Sequence, residues 1–132
     1  MTDFKIGYAP SEQLEIFYAS KVSWFKVDYG VDKATVSTGV GGLGCSYSLK
    51  TLAPTWFLAG GLGFSGWSYP FEDPAPDPMQ GAGIYGGAGY EFNRHLTLEM
   101  DLMYGNPNHS YGGDKVTAKP FSVKFTINAL AY

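Results

Sequence analysis

Few residues in this chain have the types and spacing that chemistry needs. His109-Ser110 sets a base next to a nucleophile, which with a nearby acid would serve hydrolysis. In an extended segment, however, adjacent side chains point to opposite faces, so the pair is not poised. Glu99 and Asp101 lie two apart, as a carboxylate pair on one face of a strand would. Glu72, Asp73 and Asp77 stand in EDPAPDP, which could hold calcium weakly but lacks a calcium-loop pattern. His95 follows Arg94 in a turn and reads as solvated, and two histidines without ligand spacing make no zinc motif. Cys45 is the only cysteine and reads as a small packed side chain. No glycine-rich phosphate loop leads from a strand into a helix. These residues predict no enzyme, no cofactor and no metal.

The segments that carry them read as strands. From Leu96 the chain alternates: Leu96, Leu98, Met100, Leu102 and Tyr104 interleave with Thr97, Glu99, Asp101 and Met103. Six further stretches read the same way, at roughly 3–9, 14–27, 34–49, 55–69, 82–92 and 120–132, with 55–69 apolar on both faces. PSEQ, TLAP and Asn93-Arg94-His95 make short turns, while longer loops are expected near 28–33, 70–81 and 105–118. Most of these strands match the roughly 9–11 residues that cross a bilayer when tilted. The uncharged run 51–71 is long enough for a membrane helix, but its glycines and bracketing Pro54 and Pro70 argue against one. No signal peptide is visible at the start.

Composition bears on which face meets water. Charged residues make up 16% of the 132, where soluble domains average about 25%. A net charge of −3 without basic clusters excludes nucleic acid as the expected partner. The polar faces carry Asp3, Lys5, Glu15, Lys21, Glu91, Glu99, Asp101 and Lys124. Turned into a narrow lumen, these would form a paired network, because an isolated ion away from water is costly. The greasy faces carry Tyr8, Trp24, Trp56, Tyr90, Phe92, Tyr104 and Phe121 near strand ends, as membrane interfaces favour. Strand glycines would make room for large inward residues such as Phe17 or Tyr85.

GGLGFSGWSYPFED, GAGYEFNRHLTLEMDLMYGNP, PFSVKFTINALAY and KIGYAPSEQLEIFYASKVSWF together resemble the small bacterial outer-membrane β-barrel proteins. The resemblance implies an all-β, antiparallel, up-and-down transmembrane barrel of about eight strands in a bacterial outer membrane, as one domain over 1–132. Membrane lipid and the outer-membrane insertion machinery would be its partners, with Tyr132 resembling the terminal aromatic signal that the machinery reads. Barrels of this family have an even strand number. Seven strands are readable here, so a strand is wanting ahead of Asp3, hidden in a split segment, or supplied by another chain. The expected role is structural or surface-interacting, without an open pore. Two alternatives stand beside it: a soluble barrel of the lipocalin or fatty-acid-binding type holding an apolar ligand, and an outer-membrane lipid hydrolase. Oligomeric state is left open.

Overall fold

A computed structural model describes residues 2–28, 30, 33–74, 77–93 and 95–129. It contains one antiparallel sheet of eight strands: β1 (Thr2–Tyr8), β2 (Leu14–Asp28), β3 (Lys33–Ser48), β4 (Thr55–Ser68), β5 (Met79–Asn93), β6 (Leu96–Tyr111), β7 (Asp114–Thr117) and β8 (Phe121–Ala129). The order is a simple meander from β1 to β6, and both β7 and β8 lie along β6. No helix among the described residues is long and apolar enough to cross a membrane.

The period-two pattern sets the faces. Inward lie Phe17, Ala19, Val36, Val40, Phe57, Ala59, Tyr85 and Met103, all buried, together with buried Lys21, Glu99, Asp101 and Lys124. Outward lie Phe4, Ile6, Leu43, Leu58, Leu62, Phe64, Ile84, Phe125 and Ile127, all exposed. The usual distribution is reversed: ions inside, large apolar side chains outside. β4, greasy throughout by sequence, resolves into outward Trp56, Leu58, Leu62 and Phe64 against inward Phe57, Ala59 and Ser65. Cys45 departs from its reading as a packed side chain. It sits opposite Ile16 on the outward face and is exposed.

Inward glycines are required where rings cross the interior. A Cβ on Gly61 would lie 2.6 Å from Cε1 and Cζ of Tyr85, and one on Gly44 would lie 2.9 Å from Cε2 of Phe17. Phe17, Ala19, Val40, Tyr85 and Met103 thereby form a single packed cluster across the interior.

The segment 105–118, expected as a long loop, is a hairpin. β6 runs on to Tyr111, turns at Gly112 and Gly113, whose φ values are 58° and 102°, and returns as β7. Left-handed φ at two consecutive residues is what glycine permits and other side chains resist. β2 ends at Asp28 and β3 begins at Lys33, so the longer connection expected near 28–33 has only four residues, while ten separate Ser68 of β4 from Met79 of β5.

The closed barrel that was expected is not what the sheet forms. Among the described residues β1 pairs only with β2, and β8 only with β6, so the sheet is not closed. β7 and β8 are one row interrupted at Ala118–Pro120. Across the interruption Ala118 N donates to Pro107 O at 2.9 Å and Gly105 N donates to Pro120 O at 3.1 Å. A residue's N and O point to the same side of an antiparallel strand, so Pro107 and Pro120 each lack the N–H that would return the bond. The sheet therefore has seven rows.

Candidate functional site

The interior at mid-height is an ionic cluster built by register. Asp3 on β1 stands opposite Lys21 on β2, and Asp101 on β6 stands opposite Lys124 on β8. Glu99 precedes Asp101 by two residues and so shares its face. The curl of the sheet carries β2 across to β6. Lys21 Nζ donates to Asp3 Oδ2 at 2.6 Å, to Asp101 Oδ2 at 2.6 Å and to Glu99 Oε1 at 3.1 Å. An ammonium has three N–H donors, and all three are engaged. Lys5 Nζ pairs with Glu99 Oε2, which also accepts from Asn128 Nδ2 at 3.2 Å. The side chains of Lys21, Glu99 and Asp101 have no exposed surface, and that of Asp3 has 3%.

Aromatic rings complete the surroundings. Lys21 Nζ lies 5.2 Å from the centre of the Tyr85 ring, and Lys5 Nζ lies 5.2 Å from that of Phe17. Such contacts add favourable electrostatics when water is excluded. With Lys124 buried beside Asp101, three acids face three bases, so the centre is balanced in charge.

Of the eight residues expected to share a lumen network, Asp3, Lys5, Lys21, Glu99 and Asp101 meet in direct ion pairs. Lys124 is 3% exposed, and its Nζ makes no hydrogen bond among the described residues. Glu15 and Glu91 stand apart, nearer the short-turn end. Glu15 accepts from Ser46 Oγ at 3.1 Å, and both glutamates line a small cavity of about 50 Å³ below Glu99. Tyr132 lies outside the described residues. Asn128, Tyr85 and Phe17 were not singled out as members of the network, since an inventory of charges passes over neutral partners. Their inward parity beside Lys124 and Lys21 was the available signal.

The cluster has little freedom for chemistry. Carboxylate oxygens of Asp3, Glu99 and Asp101 lie within 4.8 Å of one another, the spacing a metal would need. The Lys21 ammonium occupies the position between them, so a cation would have to displace it. The loop acids Glu72, Asp73 and Asp77 form no such group among the described residues.

His109 Nε2 lies 3.5 Å from Asp77 Oδ2, an acid and a base in contact at the loop end. Ser110, next along β6, is exposed and turns to the other face, so it does not join them. His95 is exposed in the β5–β6 turn, its backbone N–H held by Asn93 Oδ1 at 2.8 Å. Comparison with protein-family models, with curated proteins and with solved structures finds no match.

Proposed function

We propose that this chain is an integral outer-membrane β-barrel protein with a structural or surface-presenting role and no open pore. The observation that carries the reading is the reversed burial: Lys21, Glu99, Asp101 and Lys124 inside, Phe4, Ile6, Leu62, Phe64, Phe125 and Ile127 outside. In water, that exterior is an apolar patch far larger than a soluble monomer keeps. Against hydrocarbon it is the favourable surface, and the rows β2 to β6, each paired on both sides, meet the bilayer's demand on the backbone.

Strand length adds support. β2 to β6 have 14 to 16 residues, against the roughly 9–11 that a tilted crossing needs. So does the rim at the short-turn end. There Trp56, Tyr90 and Phe92 stack edge to face on the outward face, with centroids 5.0 Å apart in each pair. Aromatic girdles suit a membrane interface.

Filling of the interior supports the lack of a pore. Phe17, Tyr85, Met103 and the ionic cluster occupy the interior, as in barrels of small circumference. The same filling takes up the space that an apolar ligand would occupy in the lipocalin-type alternative. The test is a denaturing gel of boiled and unboiled samples, prepared with and without mild detergent. A compact band that requires detergent and shifts on boiling is expected. A folded, monodisperse protein without detergent would overturn the reading.

A further inference from the structure

The outward face changes character along its height. Tyr18, Leu43, Leu62 and Ile84 are register partners across β2 to β5, and all four are exposed. The next outward row toward the loop end holds Ser20, Gly41, Phe64 and Ala82, and the row beyond it Val22, Gly39, Gly66 and Gln80. Trp24, Ser37 and Ser68 follow. Ser20, Val22, Ser37, Gly66 and Ser68 are half-buried although they point outward, whereas Leu62 is 68% and Phe64 80% exposed. The recess between them is a cleft of about 290 Å³, near the lower end of small-ligand sites. Gly39, Gly41 and Gly66 leave its floor without side chains, and Ser20, Val22, Phe64 and Gln80 stand around it.

Nothing inside the chain asks for glycine at Gly66. A Cβ there would meet nothing within 4 Å, and its φ is not left-handed. The inward Gly44 and Gly61 differ, because the rings of Phe17 and Tyr85 lie over them. The ladders to β3 and β5 run through Gly66 without a register shift, so it marks no bulge. A glycine inside a strand weakens it, and what is left to explain this one is close approach by something outside the chain.

Among the described residues no charged side chain lines the cleft. Lys26, the next outward residue of β2 after Trp24, is exposed and lies beyond it. A phosphate or carboxylate would find no paired cation here, and burying its charge unpaired is costly. The polar groups are neutral: the hydroxyls of Ser20, Ser37 and Ser68 and the Gln80 amide. Ser37 Oγ and Ser68 Oγ lie 2.7 Å apart, so one hydroxyl donates to the other and the second O–H remains for a ligand. Trp24 is 47% exposed beside Ser37, and Phe64 stands on the side of the apolar band, so aromatic surface flanks the hydroxyls. A sugar ring has the matching complement, with hydroxyls round its edge and C–H groups on its faces that pack against aromatic rings.

Trp56 marks the short-turn rim, and Phe64 and Ser68 lie eight and twelve residues above it on β4. At about 3.4 Å per residue on a strand tilted by about 40°, those are roughly 20 and 30 Å along the axis of the curled sheet. An outer apolar band is about 25 Å tall, so the cleft straddles its upper limit, where lipid headgroups begin. We infer that the cleft binds the uncharged sugar headgroup of a glycolipid. The ring sits over Gly39 and Gly66 with its hydroxyls on Ser37, Ser68 and Gln80, and the acyl chains descend past Phe64 and Leu62. This rests on the membrane reading, since it needs the apolar band in lipid.

The test is tryptophan fluorescence of the chain folded into phosphatidylcholine vesicles. A Trp56→Phe background leaves Trp24 as the outward tryptophan, Trp67 being turned inward against Phe25. The added lipid is a diglucosyl diacylglycerol with brominated acyl chains, which quenches Trp24 when it sits alongside. Its quenching is compared with that of brominated phosphatidylcholine at equal mole fraction. A preference for the glycolipid on the order of tenfold is expected, as one or two net hydrogen bonds give. Gly66→Leu fills the cleft where there is room for a side chain, and should abolish the preference while the unboiled gel band persists. Ser37→Ala with Ser68→Ala should lower it severalfold. Equal quenching by glycolipid and phosphatidylcholine would overturn the proposal. So would a preference untouched by Gly66→Leu, or one shared equally by brominated diacylglycerol without the sugar or by brominated phosphatidylglycerol, which would assign the effect to acyl chains or to Lys26. A chain that stays out of the vesicles overturns the membrane reading and this proposal with it, whereas an inserted chain without preference overturns this proposal alone.

Discussion

Lys21 and Asp101 are 80 residues apart in sequence and 2.6 Å apart in space, with both side chains wholly buried. No backbone pairing joins their strands, β2 and β6; the contact is made across the inside of the curled sheet. It therefore reports on the curvature of the whole sheet rather than on any one hairpin.

Replacing Lys21 with Met should leave three buried carboxylates facing one another. Breaking a buried ion pair from one side costs about 3–5 kcal/mol. Denaturant unfolding in detergent measures it, and a loss below about 1 kcal/mol would show that water already reaches the cluster. In a double-mutant cycle with Asp101→Leu, the pair should couple by about 0.5–3 kcal/mol.

Gly61→Ala should destabilise by about 1–3 kcal/mol, because the new methyl group meets both the Tyr85 ring and the Leu43 carbonyl oxygen at 2.6 Å. The companion change Tyr85→Leu should recover the ring's share of that loss and leave the share that comes from the Leu43 carbonyl. Gly66→Ala is the control. A Cβ there meets nothing within 4 Å, so the effect should be within about 0.5 kcal/mol, or slightly stabilising.

Leu62 is 68% exposed, on the outward face between Leu43 and Ile84. Leu62→Arg should cost about 2–4 kcal/mol when the protein is folded into bilayers, since the charge would then sit in hydrocarbon. An effect near zero in bilayers would count against the proposed membrane placement, because an arginine facing water at this site is harmless.

Pro107→Val restores a backbone donor where β6 faces Ala118. A gain of about 0.5–1.5 kcal/mol is expected, with slower amide exchange near Ala118. Unchanged exchange would mean that the break between β7 and β8 has another cause, Pro120 being the next to test.

The faces of the sheet were legible in the sequence because alternation is a local property. Leu98 against Glu99 and Phe125 against Lys124 each declare an inside and an outside within two residues. The strand at 105–118 was hidden because Pro107 and the Gly112-Gly113 pair are ordinarily marks of a loop. Here one lies at an interruption of the ladder and the others form a two-residue turn. The ion pairs were legible as a set and not as partners. That Lys21 takes Asp101 rather than Glu15 depends on how tightly the sheet curls, which no window of sequence contains. Openness at β1 and β8 was foreshadowed by an odd strand count, but the orphaned Lys124 ammonium needed coordinates.

Lys21 also constrains the order of events during assembly. Its three acceptors lie 18, 78 and 80 residues away, so two of them arrive only when β6 does. A β2 hairpin entering hydrocarbon ahead of β6 would carry an ammonium with at most one acid for company, which is prohibitive. Under the membrane reading, insertion and curling then have to be concerted. The early hairpins wait at the bilayer surface until the sixth strand delivers its carboxylates, and the centre of the molecule acts as a checkpoint that admits the sheet only when it is nearly whole.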